Sequence, residues 1–530
     1  MTSSSERPSV TELAIRLRRL GVHVSAMGDQ LRVRGPRGSV TPELQQEIAH
    51  HRAALLRMIR GTTPPAARPV TAASVAPLSH NQRQLWFEQQ LDPRASHYNV
   101  PVALAIEAPA NIARLRQALG WLMRRHAGLR ARFPVRGDAP AMDVAAEAAL
   151  ELLVVDVPAE PGDGAWERAV RAFVTRPFDL AEGPLFRACV VGRGGADWTL
   201  VISLHHIVAD GWSMGILLKD FDRVHRALES GRPLDAAEEA GVSYEAFARW
   251  QAEPEYRAGL APLVDAARAR LTALAALRLP YDRPHRQRSA RRGALVSARI
   301  SVEDVKRLSE IARRSGVTLF VLVAAAYAVT LYCESGQERF ALGTDESGRD
   351  DLRWDAVVGH FANQIVMAVD LSDNPTLEDV IGRTSRAMLD AYACRRIPFD
   401  VLVKAIRDGS VDRSPLFAAK IVMQPPLPAV MPPFRVLDVH NGSCKFDLLL
   451  NVWTTADGAT LAIEYDCDLF AHTTGARIVR RLVDVVESMR ESTSERLLDL
   501  DARLSRADRE RSRMPGRFRT RQADPSLVRA

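Results

Sequence analysis

Residues 198–206, WTLVISLHH, constrain this chain more than any other stretch. The alternation has a period of two, so the run is a buried strand. Leu200, Ile202, Leu204 and His206 point one way, and Val201, Ser203 and His205 the other. Adjacent histidines on opposite faces cannot do the same work: one faces a cavity while the other packs. A turn, IVADG, follows, and then a helical pattern over 216–228 with Leu217, Phe221, Val224 and Leu228 on its apolar side. Strand, paired histidines, Asp-Gly turn and helix are expected as one unit.

The same stretch supports two chemistries. Read as H-H-x-x-x-D-G, it puts the reaction on His206, with His205, Asp210 and Gly211 in support. Read as G-x-S-x-G over 211–215, it makes Ser213 the nucleophile of a hydrolase elbow. An elbow serine sits on a tight turn directly after its strand, whereas IVAD intervenes here. No H-G-G-G oxyanion loop precedes it, and His225, His285, His360, His440 and His472 lie in no recognisable triad setting. The expectation is that Ser213 caps the helix starting near Met214.

At 530 residues the chain is expected to hold several units. TTPPAARPVTAASVAP (62–77) reads as a semi-extended linker. Ahead of it, residues 1–61 read as helix, hairpin, helix. Ser9 and Glu12 form a capping box, Gly28-Asp29 turns a hairpin, and Thr41-Pro42 starts the second helix. From 78 to about 500 strand-like runs alternate with amphipathic helices, a mixed α/β body. Residues 501–530 are expected to be a basic, disordered tail. Ten Arg face five acids in 1–61, and nine Arg face three acids in 502–530, so the body between them is mildly acidic. That excludes a nucleic-acid-binding body and points to short basic surfaces for acidic partners. Arg32, Arg34 and Arg37, on or just beyond the second hairpin strand, are the candidate docking residues. The five cysteines form no C-x-x-C, so neither a metal site nor a disulfide framework is expected. The apolar run 318–333 reads as a buried helix rather than a membrane span, and the N-terminus is no signal peptide. A cytoplasmic protein is expected.

Further motifs follow in order: LSHNQRQLW (78–86), RRHAGLRARF (124–133), PFDLAEGPLFR (177–187), HHIVADGWS (205–213), YEAFARWQ (244–251) and LPYDRPHR (279–286). Then come GRDDLRWDAVVGHFANQIVMAVDL (348–371), IPFDVLV (397–403) and RSPLF (413–417). Together they resemble the condensation domains of nonribosomal peptide synthetases over nearly the whole body. Residues 9–60 resemble the β-hairpin (TubC-type) docking domains of such synthetases. Three places depart from the family pattern: Ala127 where Glu is usual, ACRR before Pro398, and GTDESGR (343–349) in place of a more apolar run.

The resemblance implies two chloramphenicol-acetyltransferase-like lobes meeting in a V, about 78–260 and 280–500, behind a small α-β-β-α docking domain. It implies an acyltransferase with His206 as the central histidine, a general base or a positioning group. His205 would be the packed member of the pair and Asp210 a structural partner of Arg349. Trp212, Ser213 and Asn363 are candidate tunnel or substrate positions. The chain would bind no cofactor. Its acyl donor would ride on the phosphopantetheine of an upstream carrier protein, and the acceptor would be an amine or hydroxyl. Stand-alone release onto a free small acceptor is the expectation; condensation between two carrier-bound substrates is the alternative. An epimerase using Asp345 as second acid, a CoA-dependent acyltransferase, a hydrolytic thioesterase and a recruiting domain without activity are the rivals. No nucleic acid or membrane partner is expected.

Overall fold

The computed structural model describes residues 13, 17, 23–27, 30–34, 41–53, 55, 74–107, 109–158, 164–194, 197–234, 243–284, 291–407, 416–424, 432–455, 457–513 and 528–529. His23–Met27 and Gln30–Arg34 pair antiparallel, with Val24 opposite Val33. Helix Pro42–His50 follows, its first turn capped by the Thr41 side chain. Leu13, Leu17, Leu44, Ile48 and Leu55 form a small core against Val24, Leu31 and Val33. The expected hairpin and the Thr-Pro helix start are both present. Arg32 and Arg34 lie on the second strand, opposite Ser25 and His23. Arg37 lies outside the described residues.

Two six-stranded mixed sheets organise the body. In the first, Asp197–His205 lies between Asn99–Ile106 and Phe186–Arg193, antiparallel to both. Its alternation divides as the sequence indicates. Leu200, Ile202 and Leu204 enter a core with Leu119, Trp121 and Phe221, while Val201 packs with Phe173, Val174 and Val191 under helix Ala165–Val174. Glu151–Val157 continues the sheet in parallel beyond Phe186–Arg193. In the second sheet the order is 293–300, 458–466, 448–455, 419–423, 339–346, 363–370. Helix Leu319–Ser335 lies in the core beside it, buried from Val321 to Tyr332, as the sequence leads one to expect. No single described helix is long and apolar enough to cross a membrane; the pair Val302–Arg314 and Leu319–Ser335 passes such a test only together, bent by 98°.

The halves are interleaved. Phe434–Val439 comes from the second half of the chain yet pairs antiparallel with Asn99–Ile106 of the first sheet. Trp354, Val357, Val358 and Phe361 likewise pack into the first-half core.

Two boundaries differ from the sequence reading. Ser74–Pro77, assigned to the linker, is a strand paired with Ala141–Val144; Ala76 is buried there. Residues 501–513, assigned to the tail, belong to helix Leu497–Arg513. That helix buries Leu497, Leu500 and Leu504 at helical spacing, and Asp508 pairs with Arg481. The arginines seen in composition mask this apolar stripe. Leu500 is fully buried, so Leu500→Ala should lower stability by about 2–5 kcal/mol. Denaturant unfolding checks this; a disordered tail would leave the midpoint unmoved.

Candidate active site

The strand 197–205 delivers His205 to its last position, and a single 3-10 turn, His206–Val208, carries His206 just beyond it. The His206 N–H donates to Tyr98 O at 2.8 Å, fixing that turn against the neighbouring strand. His205 is fully buried. Its Nδ1 accepts from Ile207 N at 3.1 Å, so Nε2 carries the proton and donates to Gln89 Oε1 at 3.3 Å. Tyr98 and Phe178 pack around the ring. Burial pushes this imidazole down to about 3. It is the packed member of the pair.

His206 keeps part of its surface open while its ring lies deep in protein. Burial first, then Lys445 and His360, hold its pKa well below the usual histidine value; an interaction with its own backbone carbonyl opposes them. Nδ1 is buried and finds no other residue as partner among the described residues. In the neutral ring with its proton on Nδ1, the Nε2 lone pair is free. Lys445 is itself pushed down to about 8 by burial.

Asp210 does what was expected of Ser213. It is the N-cap of helix Gly211–Glu229, and its Oδ1 accepts Ser213 N at 2.8 Å. A carboxylate at a helix N-terminus satisfies an orphan N–H and complements the dipole. Arg349 Nη2 reaches the same Oδ1 at 3.3 Å, and both side chains are 2% exposed. Oδ2 accepts the N–H groups of Phe361 and Ala362 at 3.0 and 3.2 Å. The other Arg349 nitrogen, Nη1, donates to the carbonyls of Trp354 and Val357. Its guanidinium lies 4.1 Å from the Phe361 ring centre.

Ser213 is 0% exposed. Its hydroxyl lies 2.8 Å from both Asp210 Oδ1 and Gly359 O, and it accepts from Gly359 N and Arg349 Nη2. A hydroxyl so enclosed neither lines a tunnel nor attacks an acyl group, which corrects its candidacy for a substrate position. Gly211 is the first helical residue, half-buried. Trp212 is 44% exposed and anchors its indole N–H on Asp355 O. Asn363 donates to the carbonyls of Arg395 and Ile397 and accepts from Phe399 N, so it shapes a turn. It also borders a small cleft with Trp250, Tyr256, Trp354 and Arg396, whose lining includes neither histidine of the pair. Asp345 is ion-paired to buried Lys420 at 2.7 Å.

The sequence reading missed His360. Its ring meets His206 at 4.6 Å between centroids and 78° between planes. Gly359 beside it is a forced choice, because a Cβ there would lie 1.9 Å from Tyr244 Cδ2. Gly348, at φ +66°, likewise leaves no room for a Cβ against Phe361 O. The cramped G-H-F run was the available signal. No group of three or more metal-ligating side chains occurs among the described residues.

Two family models match. One, described as "Condensation domain", covers residues 72–510; the other, "TubC N-terminal docking domain", covers 10–60. Chondramide synthase of Chondromyces crocatus is 30% identical over 458 residues, 84% of this chain and 12% of that protein. Phosphinothricin tripeptide synthetase PhsC of Streptomyces viridochromogenes is 32% identical over 428 residues, 78% of this chain and 39% of that protein. This chain thus spans well under half the length of these relatives. The X-domain in its complex with OxyB from teicoplanin biosynthesis superposes with a TM-score of 0.72 at 25% identity, covering 83% of this chain and 98% of that one. The starter condensation domain of rhizomide synthetase gives 0.70 at 19% identity, covering 80% and 97%.

Removing one member of the buried ion pair should leave an uncompensated charge. Asp210→Ala or Arg349→Ala should each cost on the order of 3–5 kcal/mol, and the double variant less than their sum. Urea unfolding of all three checks it.

Acid should weaken the fold in a defined window. The fold holds His205 at about 3 and His360 and His97 at about 4, against 6.5 in the unfolded chain. Their folded-state pKa values are depressed, so the unfolded chain takes up protons that the fold refuses. Unfolding free energy should therefore fall as pH drops from about 6.5 towards 4. Denaturation midpoints at pH 7.5 and 5 would show it.

Proposed function

The chain belongs to the condensation-domain family, with a TubC-type docking unit ahead of the body, and from that premise we propose that it transfers a carrier-bound acyl group to an amine or hydroxyl. On this reading residues 1–61 dock an upstream carrier protein and 78–500 form the catalytic body. The single observation that carries the reading is the His205–His206 pair at the end of a buried strand, with only His206 left partly open. The acceptor heteroatom attacks the thioester carbonyl, a C–N or C–O bond forms, the C–S bond breaks, and the acceptor's proton ends on the phosphopantetheine thiol. His206 Nε2 accepts the hydrogen bond from the attacking N–H or O–H and aims its lone pair. The reaction is assigned to the cytoplasm, where Cys189, Cys333, Cys394, Cys444 and Cys467 stay free thiols.

We extend the reading to release of the chain onto a free small acceptor. On this reading the docking unit brings the carrier that supplies the donor, and the acceptor arrives by diffusion. A recruiting role without chemistry is the rival that one neighbour favours, since the teicoplanin X-domain forms a complex with OxyB.

Three experiments decide these points. His206→Ala should abolish product, while folded Ser213→Ala should retain substantial activity; a fully active His206→Ala would end the proposal. An acyl-loaded carrier with a panel of free amines and alcohols, read by intact mass, should give acyl transfer to a free acceptor. Transfer only to a carrier-tethered acceptor would refute release. Deleting 1–61, or reversing charge at Arg32 and Arg34, should weaken transfer from the carrier but spare a small thioester donor, most clearly at low salt. Equal loss with both donors would show the unit to be structural.

A further inference from the structure

We propose that His360 is a positioning residue for His206: it holds the plane of that imidazole so that the free ring nitrogen stays turned towards the acceptor. The inference rests on the reading of His206 as the reacting group. His360 comes from the second half of the chain, His206 from the first, and their rings meet edge to face at 4.6 Å. Such a contact resists rotation of either ring. His360 is 9% exposed, so it is a wall of the site rather than a group that substrate covers.

The segment carrying it is tied down from the opposite half. Gly359 offers its N–H and its carbonyl to the Ser213 hydroxyl. The Tyr244 hydroxyl donates to the His360 carbonyl while sharing a hydrogen bond with Ser79. Phe361 and Ala362 give their N–H groups to Asp210. The backbone on both sides of His360 is fixed, which sets the point from which its ring reaches His206. Its Nδ1 is buried with no partner among the described residues. An aliphatic residue there would avoid that penalty. The arrangement also ties the reaction to closure of the halves, because His206 loses its brace if the 359–362 segment moves away.

The charged and titratable neighbours are defined. Lys445, His360 and His205 act on His206; Asp210, Asp345, Lys445 and Lys420 act on His360. Removing the His360 ring, which burial keeps neutral at working pH, admits water and relieves part of the burial that holds His206 down. His206 then becomes easier to protonate, and the acid limb of the pH–rate profile moves to higher pH.

The test compares His360→Ala, His360→Phe, His206→Ala and the double variant His206→Ala/His360→Ala in the full chain. Steady-state kinetics use a carrier-bound or small thioester donor, with thermal melts of each protein. His360→Ala should lower kcat about 10–100-fold with KM for the donor unchanged, and shift the acid limb upward. His360→Phe, which restores a ring, should recover most of kcat. The double variant should be no slower than His206→Ala. Unchanged kcat and pH profile in His360→Ala, with His206→Ala inactive, would overturn the proposal while leaving the reading of His206 intact. Loss of kcat that merely tracks a lowered melting temperature, or equal loss in the Ala and Phe variants, would overturn it too. An active His206→Ala protein would instead remove the reading beneath it.

Discussion

The Asp210 carboxylate is the point on which the rest of the site depends. One side of it terminates the helix that follows the histidine turn, through Ser213. The same oxygen also takes Arg349, and the other takes the N–H groups of Phe361 and Ala362, all from the far half of the chain. A buried carboxylate is stable only when its lone pairs are filled and its charge is matched. Here the filling groups come from two sequence regions, which Ser213–Gly359 and Trp212–Asp355 hydrogen bonds also join. Hydrophobic contact between the halves is non-directional; five hydrogen bonds to one carboxylate are not. That directionality sets where the 359–362 segment lies relative to the histidine turn.

How much of this was legible in the sequence depends on the range of the interaction. Local patterns read well. The alternation in WTLVISLHH divides its side chains between two cores as expected, and Thr41-Pro42 starts a helix. The pairing of Asp210 with Arg349 was reachable only through resemblance to a family, since nothing local links positions so far apart. Ser213 was misassigned as a cap because Ser and Asp are both good N-caps; Arg349 decides between them by adding a charge that only the carboxylate can match. The helix over 497–513 was hidden for a different reason. Its apolar stripe, Leu497, Leu500 and Leu504, is thin beside its arginines, and it is stabilised by tertiary packing rather than by propensity. His360 was overlooked because ring contacts between halves leave no periodicity, and only the cramped G-H-F run hinted at it.

The interleaving of the halves gives the site a second restraint. Phe434–Val439 extends the first sheet from the second half of the chain. Phe434 also meets Phe221 and His225, of the helix that Asp210 caps, edge to face. A strand hydrogen-bonded along its length resists sliding, while the Asp210 contacts resist opening. Together they restrain the two motions that would most readily separate His206 from His360.

The electrostatics of the pocket limit what the proposed chemistry can use. Lys445, His360 and His205 all act against a proton on His206, and burial acts in the same direction. Among the described residues no carboxylate is bonded to Nδ1 of His206; a Ser-His-Asp site, by contrast, places one there to stabilise the imidazolium. This site is therefore built to keep its central imidazole neutral. A neutral ring aims an acceptor N–H or O–H well but stores its proton poorly. The sequence of events that fits the proposal is one in which the proton leaves the acceptor only as the C–S bond breaks, so that the departing thiolate takes up the proton that His206 holds poorly.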